Sequence, residues 1–128
     1  MADITQYFWK YKLSILWTLT LLTLTFIPKQ DVPDFRYTFK HIDKVVHFTF
    51  YFILIILFLF ESNDAKGYRL AVIGFLCCIL LGISTEYGQY YMKLGRSFEW
   101  TDMVANMLGC ISGLVLFKVL LNERLRKK

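Results

Sequence analysis

The sequence predicts an all-α fold, a four-helix transmembrane bundle with both termini in the cytoplasm. Of the 128 residues, 56% are hydrophobic and 18% are aromatic, which is more apolar surface than a soluble domain of this size can readily bury. Four long apolar runs carry few charges, and only two prolines and seven glycines interrupt the chain. This composition excludes a disordered tail, and three cysteines inside apolar runs give no sign of a secreted, disulfide-stapled domain.

Residues 1–128 are predicted to form a single membrane domain. A membrane-crossing helix needs about 20 mostly apolar residues. The four candidate spans cover roughly residues 10–28, 44–61, 69–91 and 101–121. The last two meet the length outright, whereas the first two rely on flanking lysines and interfacial aromatic rings. Because the last two runs show no broad polar stripe at helical spacing, buried helices of a soluble bundle are the weaker alternative.

The basic residues predict the orientation of the spans. Four spans place both termini and the middle loop on one side of the membrane, and most of the 15 Lys and Arg residues flank the spans on that side. By the positive-inside bias this side is the cytoplasm, where a net charge of +5 suits anionic lipids. Membrane lipids are therefore expected partners and nucleic acid is not, because these charges form no basic face.

Polar residues of the last three predicted spans gather at the outer end of the bundle. The alternating helix directions bring six side chains to one depth there: Asp43, His47, Glu86, Gln89, Asp102 and Asn106. Such groups are costly within a membrane and need partners. Small residues at helical spacing predict close antiparallel packing of the last two spans, through Gly74, Gly82, Gly109 and Gly113.

Four motifs in chain order carry a family resemblance. They are D-K-x-x-H from Asp43, E-x-x-Q from Glu86, R-S-F from Arg96, and D-x-x-x-N-x-x-G-x-x-x-G from Asp102. Together, over roughly residues 43–113, they resemble the VanZ-like family of small bacterial membrane proteins. The resemblance implies a multi-pass protein of the bacterial plasma membrane that acts on the cell envelope. The family's namesake is associated with resistance to the glycopeptide teicoplanin.

Three functions for the polar pocket stay open. The first is binding of a lipid-linked or lipid-tailed molecule, such as a glycopeptide or a cell-wall precursor, by Asp43, Lys44, Gln89, Arg96 and Asn106. The second is a membrane enzyme with His47, Glu86 and Asp102 as candidate catalytic acid–base residues and an anionic lipid as substrate. The third is an assembly subunit in which the charges only stabilise the bundle. No motif of a known enzyme class decides among them.

A metal site is a further alternative at the same place. Asp43, His47, Glu86 and Asp102 would offer three oxygens and one nitrogen to a hard or borderline cation. The sequence has no compact metal-ligand motif such as H-E-x-x-H, so no metal ligand is predicted. The sequence leaves open the cofactor, the oligomeric state and the protein partners.

Overall fold

A computed structural model describes residues 4–31, 41–62, 68–95 and 97–126 of the chain. Within these ranges all regular structure is helical and no strand occurs, so the all-α class is confirmed. The five α-helices are α1 Ile4–Lys10, α2 Lys12–Thr25, α3 Ile42–Ser62, α4 Tyr68–Tyr91 and α5 Trp100–Arg126. A single 3-10 turn, Lys29–Asp31, follows α2.

Three of the described helices are long and apolar enough to cross a membrane. They are α3, α4 and the part of α5 over Trp100–Leu120, and they lie where the sequence places its second, third and fourth spans. At 1.5 Å per residue, a helix of 21 residues such as α3 extends about 31 Å, close to the hydrocarbon thickness of a bilayer. Large apolar side chains stay exposed along α4 and α5, as on helices that face lipid: Ile73, Leu76, Leu80, Val115 and Val119.

The first predicted span differs from the other three. α2 has 14 residues, about 21 Å of helix, which is too short to cross a bilayer by itself. Helical hydrogen bonds continue through Tyr11 into α1, because the Tyr11 N–H donates to Tyr7 O at 3.0 Å and the Ile15 N–H donates to Tyr11 O at 2.9 Å. The four-span bundle and the cytoplasmic termini therefore stay predictions.

α3 and α5 form the closest helix pair of the bundle, and glycines of α5 allow the close approach. A Cβ added to Gly109 would overlap Phe48 O, and one added to Gly113 would lie 2.9 Å from Phe52 O. Backbone atoms stand at both contacts, so no side-chain rotation could make room. Expecting these two glycines to pack against the preceding span was therefore wrong, because they lie against α3.

The glycines of α4 also lie against neighbouring helices. The Gly74 position is closed by the Phe58 ring of α3, and the Gly82 position is closed by Asn106 of α5. Small residues thus accept the bulky side chains that α3 carries in its long apolar run. The buried apolar core lies between the helices and comprises Leu21, Tyr51, Leu54, Ile55, Leu59, Cys78 and Cys110.

α2 is tied to the bundle more firmly than the sequence indicates. The Trp17 indole N–H donates to Phe50 O of α3 at 2.9 Å, and the Gln89 amide of α4 donates to Thr25 O at 2.8 Å. These two side-chain bonds hold the middle and the end of α2 against different helices. Neither bond involves a residue of the polar cluster described below, so they connect α2 to the bundle and not to that cluster.

Candidate functional site

Seven polar residues meet where α3 begins, α4 ends and α5 begins, a region called the polar end below. The opposite end is the one where α3 ends and α4 begins. The polar cluster comprises Asp43, Lys44 and His47 of α3, Glu86 of α4, Glu99 just before α5, and Asp102 and Asn106 of α5. Five of the six residues that the sequence places at one depth are therefore neighbours, and Gln89 is the exception.

Lys44 joins α3 to the start of α5. Its Nζ lies 2.7 Å from Asp43 Oδ2 and 2.5 Å from Glu99 Oε2, and it also contacts Asp102 Oδ1. Its side chain is 24% exposed, so water screens these ion pairs only in part. The ammonium group points at carboxylates of the protein itself. Lys44 is therefore the internal counter-charge of the cluster and is not a free cation for an anionic ligand.

His47 lies between two residues of α5. Its Nδ1 is 3.0 Å from Asn106 Oδ1, and its Nε2 is 3.6 Å from Asp102 Oδ2. An amide oxygen only accepts hydrogen bonds, so Nδ1 carries the proton of this bond. The Asn106 contact thus fixes the ring orientation and turns Nε2 toward the Asp102 carboxylate.

Glu86 is the most deeply buried carboxylate of the cluster, with 1% of its surface exposed. Its Oε2 accepts a long hydrogen bond of 3.5 Å from the Glu99 N–H, and its Oε1 has no partner among the described residues. Asn106 Nδ2 and Asp43 Oδ1 are likewise buried without a partner in the described part of the chain. Unpartnered buried polar atoms are costly, which makes them indicators of a ligand position.

The described cluster is rich in acid. It contains four carboxyl groups and a single ammonium group, that of Lys44. Three of its residues, His47, Glu86 and Asp102, each offer one ligand atom, and these atoms all lie within 4.8 Å of one another. The arrangement can exchange protons between an imidazole and carboxylates, or it can hold a cation.

Two predicted site residues lie outside this arrangement. Gln89 is buried, but its amide bonds Thr25 O of α2 and serves to join two helices. Arg96 falls outside the described residues, so its predicted role in ligand binding stays a prediction. Glu99 is not among the predicted site residues, yet it contacts both Lys44 and Glu86. Its position three residues before Asp102 was the available signal.

A second carboxylate with well-defined contacts lies at the opposite end of the bundle. Glu61 of α3 accepts hydrogen bonds from the Leu13 N–H at 2.7 Å, the Ser14 N–H at 2.9 Å and the Ser14 hydroxyl at 2.6 Å. It therefore caps the first turn of α2 from another helix. Sequence reasoning missed it, because no local spacing relates residues 47 positions apart.

Two of the cavities between the described helices differ in position and in lining. The larger, about 410 Å³, is an apolar groove among α2, α3 and α4 whose lining includes Tyr11, Ser14 and Phe58, so it is far from the polar cluster. The smaller, about 210 Å³, lies between α4 and α5 and is lined by Ile79, Gly82, Ile83, Met103, Val104, Asn106 and Met107. Asn106 therefore belongs to both the polar cluster and this second groove, called the α4–α5 groove below.

The fold and site define a class: a helical membrane protein with a buried acid-rich cluster at one end of its spans. Residues 2–121 match the VanZ/LLP1 family, so the chain belongs to this family. This confirms the resemblance drawn from the motifs.

The chain is also similar to the uncharacterized protein C11E3.10 of the fission yeast Schizosaccharomyces pombe. The two are 32% identical over 87 residues, which are 66% of this chain and 52% of the relative. The chain thus spans about half the length of that relative. Because the relative is a yeast protein, this similarity does not support the expected bacterial origin. No solved structure matches the chain.

Proposed function

We propose that this VanZ/LLP1 protein binds a lipid-tailed molecule, with the headgroup at the polar cluster and an acyl chain in the α4–α5 groove. The observation that carries the proposal is the double position of Asn106. This side chain is 2% exposed, contacts His47 through Oδ1, and lines the apolar groove. A molecule with a polar head and an apolar tail suits a polar cluster and an apolar groove that share a residue.

The surroundings of the polar end support a position at the level of lipid headgroups. Large aromatic side chains are exposed there, at the end of α4 and the start of α5: Tyr87, Tyr90, Tyr91, Phe98 and Trp100. Such amphipathic rings favour the membrane interface. The excess of carboxylates favours a headgroup that supplies hydrogen-bond donors, such as an amine or hydroxyl groups, over one that supplies only negative charge.

A bulky side chain in the groove tests the proposal. In Met107→Trp the indole would occupy the space of the acyl chain, whereas Val115→Trp is a control on an exposed apolar position of the same helix outside the groove. Native mass spectrometry of the detergent-purified protein should find a lipid retained by the wild type and the Val115 variant and lost from the Met107 variant. Equal retention in all three would refute binding in this groove.

At the level of the cell, the proposal is protection of the cell envelope, with teicoplanin or another lipid-tailed glycopeptide as the molecule bound. The family resemblance is its support. Expression of the wild type in a susceptible bacterial host should lower teicoplanin susceptibility, and Asp102→Asn should abolish this effect at equal membrane abundance. Unchanged susceptibility with the wild type would refute the resistance role without affecting lipid binding.

The contacts of His47 favour a second candidate, a membrane enzyme. The Asn106 contact directs Nε2 toward Asp102, and Glu86 lies beside both, so an acid–base pair is available for a lipid substrate. Purified protein incubated with a bacterial lipid extract should then form a product detectable by mass spectrometry. His47→Gln should remove that product while leaving lipid retention intact. Absence of any product with the wild type would refute the enzyme.

A further inference from the structure

We propose that His47, Glu86 and Asp102 form a site for one divalent transition-metal ion. The three residues come from three different helices, and one ligand atom of each lies within 4.8 Å of the other two. Two carboxylate oxygens and an imidazole nitrogen form a donor set that suits Mn²⁺, Fe²⁺ or Zn²⁺ better than an all-oxygen set would. This inference does not rest on the lipid-binding proposal.

The orientation of His47 is the first support. Metal-binding histidines usually donate their other ring N–H to an oxygen of the protein, and Nδ1 of His47 meets Asn106 Oδ1 in this way. Nε2 then presents a lone pair to Asp102 Oδ2 at 3.6 Å. Two ligand atoms each about 2.1 Å from a tetrahedral metal stand about 3.4 Å apart. The observed separation is therefore close to that of two ligands of one ion.

His47 Nε2 and Asp102 Oδ2 also need a positive group between them. In the tautomer that the Asn106 contact fixes, Nε2 and Asp102 Oδ2 are both acceptors and repel each other. A cation bound by both would convert the repulsion into two favourable contacts. A second proton on the imidazole is the competing occupant, and the experiment below separates the two.

Glu86 supplies an independent observation. Its side chain is 99% buried and its Oε1 has no hydrogen-bond partner in the described part of the chain. A carboxylate buried in this way is unfavourable unless a positive group accompanies it. The ammonium of the described cluster, that of Lys44, is bonded to three other carboxylates and has no ion pair with Glu86. A metal ion beside His47 and Asp102 would be the missing partner.

A second set of three acidic residues at the polar end does not compete for the metal ion. Asp43, Glu99 and Asp102 also approach one another closely, but Lys44 Nζ contacts all three. The Lys44 ammonium therefore neutralises these three acids, as the metal ion would neutralise Glu86 and Asp102. With four carboxylates and one ammonium in the cluster, a divalent ion leaves a net charge of about −1, which lowers the cost of burial.

The experiment uses the full-length protein in detergent, freed of metal with a chelator and titrated with MnCl₂. Electron paramagnetic resonance reports the free Mn²⁺, and we expect one ion bound per chain and displaced by Zn²⁺. Electron spin echo envelope modulation spectra of the wild-type Mn²⁺ complex should show the signal of a directly coordinated imidazole nitrogen. This last readout needs no variant and stands even where a substitution impairs folding.

Variants assign the ligands. His47→Gln and Asp102→Asn should each weaken Mn²⁺ binding by at least about tenfold. Glu61→Gln is the matched control, an acid of the same helix as His47 at the opposite end of the bundle, and it should leave the affinity unchanged. Failure of the wild type to bind Mn²⁺ or Zn²⁺ would overturn the proposal. An absence of imidazole nitrogen coupling, or equal loss in the Glu61 variant, would overturn it as well.

Discussion

Each end of the helical bundle has a carboxylate of one helix that faces a neighbouring helix, but the two carboxylates are satisfied differently. At the opposite end, Glu61 receives three hydrogen bonds that fasten α3 to the start of α2. At the polar end, Glu86 is more deeply buried and one of its oxygens has no partner among the described residues. The fold alone satisfies the Glu61 carboxylate, whereas an oxygen of Glu86 is left unpaired within the described residues, and this difference is why the metal proposal includes Glu86.

The largest effect is expected where helix packing brings the polar cluster together. Gly109 of α5 lies one turn from Asn106 and touches the α3 backbone, so Gly109→Ala should force the two helices apart. We expect a loss of about 3 kcal/mol in the free energy of unfolding, measured by denaturation in detergent. The contacts that are lost should be those of the polar end, because the Glu61 contacts at the opposite end do not involve α5.

Gly88→Ala is the control for this substitution. A Cβ at Gly88 would approach only the Phe26 ring, at 2.9 Å, and that ring can rotate away. Its cost should stay below about 1 kcal/mol. Equal destabilisation by both alanines would show that the α3–α5 contact does not set the stability of the polar end.

The next effect separates the two carboxylates directly. Glu61→Ala should lower the free energy of unfolding by about 1 to 2 kcal/mol, because it removes the cap of α2. Glu86→Gln, tested without added metal, should cause no comparable loss, since it removes a buried charge that has poor partners. Thermal unfolding of both variants measures the difference. Destabilisation by Glu86→Gln as large as that by Glu61→Ala would favour the assembly-subunit alternative.

Lys44 tests whether the acids of the polar end depend on their internal cation. Lys44→Gln should destabilise the protein by about 1 kcal/mol, because Asp43, Glu99 and Asp102 would then repel one another. Adding Asp102→Asn should restore part of the loss, and a double-mutant cycle measures this coupling. Additive losses in the double variant would contradict a shared ion network.

Much of the composition of the polar cluster could be predicted from the sequence. Helix direction places Asp43, Glu86 and Asp102 at the same end, because a chain that crosses the bundle repeatedly returns to each level in turn. Helical spacing also places His47 one turn from Asp43. The pairing of His47 with Asn106, by contrast, depends on the rotation of α3 against α5. No local pattern encodes that rotation.

The unpredicted parts share a physical reason. The glycines identify faces that approach another helix closely, but they do not say which helix, so Gly109 and Gly113 were assigned to the wrong neighbour. Glu61 and the Trp17 contact with Phe50 O join residues far apart in the chain. The sequence already indicates that the first apolar run is short, but it does not give the end of α2 at Thr25, because apolar runs show where a helix can extend, while caps and turns decide where it ends.

The smallest expected effect on the free energy of unfolding comes from the loop between α4 and α5 at the polar end. Lys93 has a left-handed backbone, with φ of 52°, and follows Met92 just beyond the end of α4 at Tyr91. Its N–H bonds Tyr90 O at 3.2 Å, so the conformation belongs to the helix end itself. A residue with a Cβ is strained there, and Lys93→Gly should raise the free energy of unfolding by about 0.5 to 1 kcal/mol. Lys93→Ala is the matched control, because it removes the same charge and keeps the Cβ. A gain in the glycine variant alone would place the strain in the backbone, and an equal gain in both would assign it to the lysine charge.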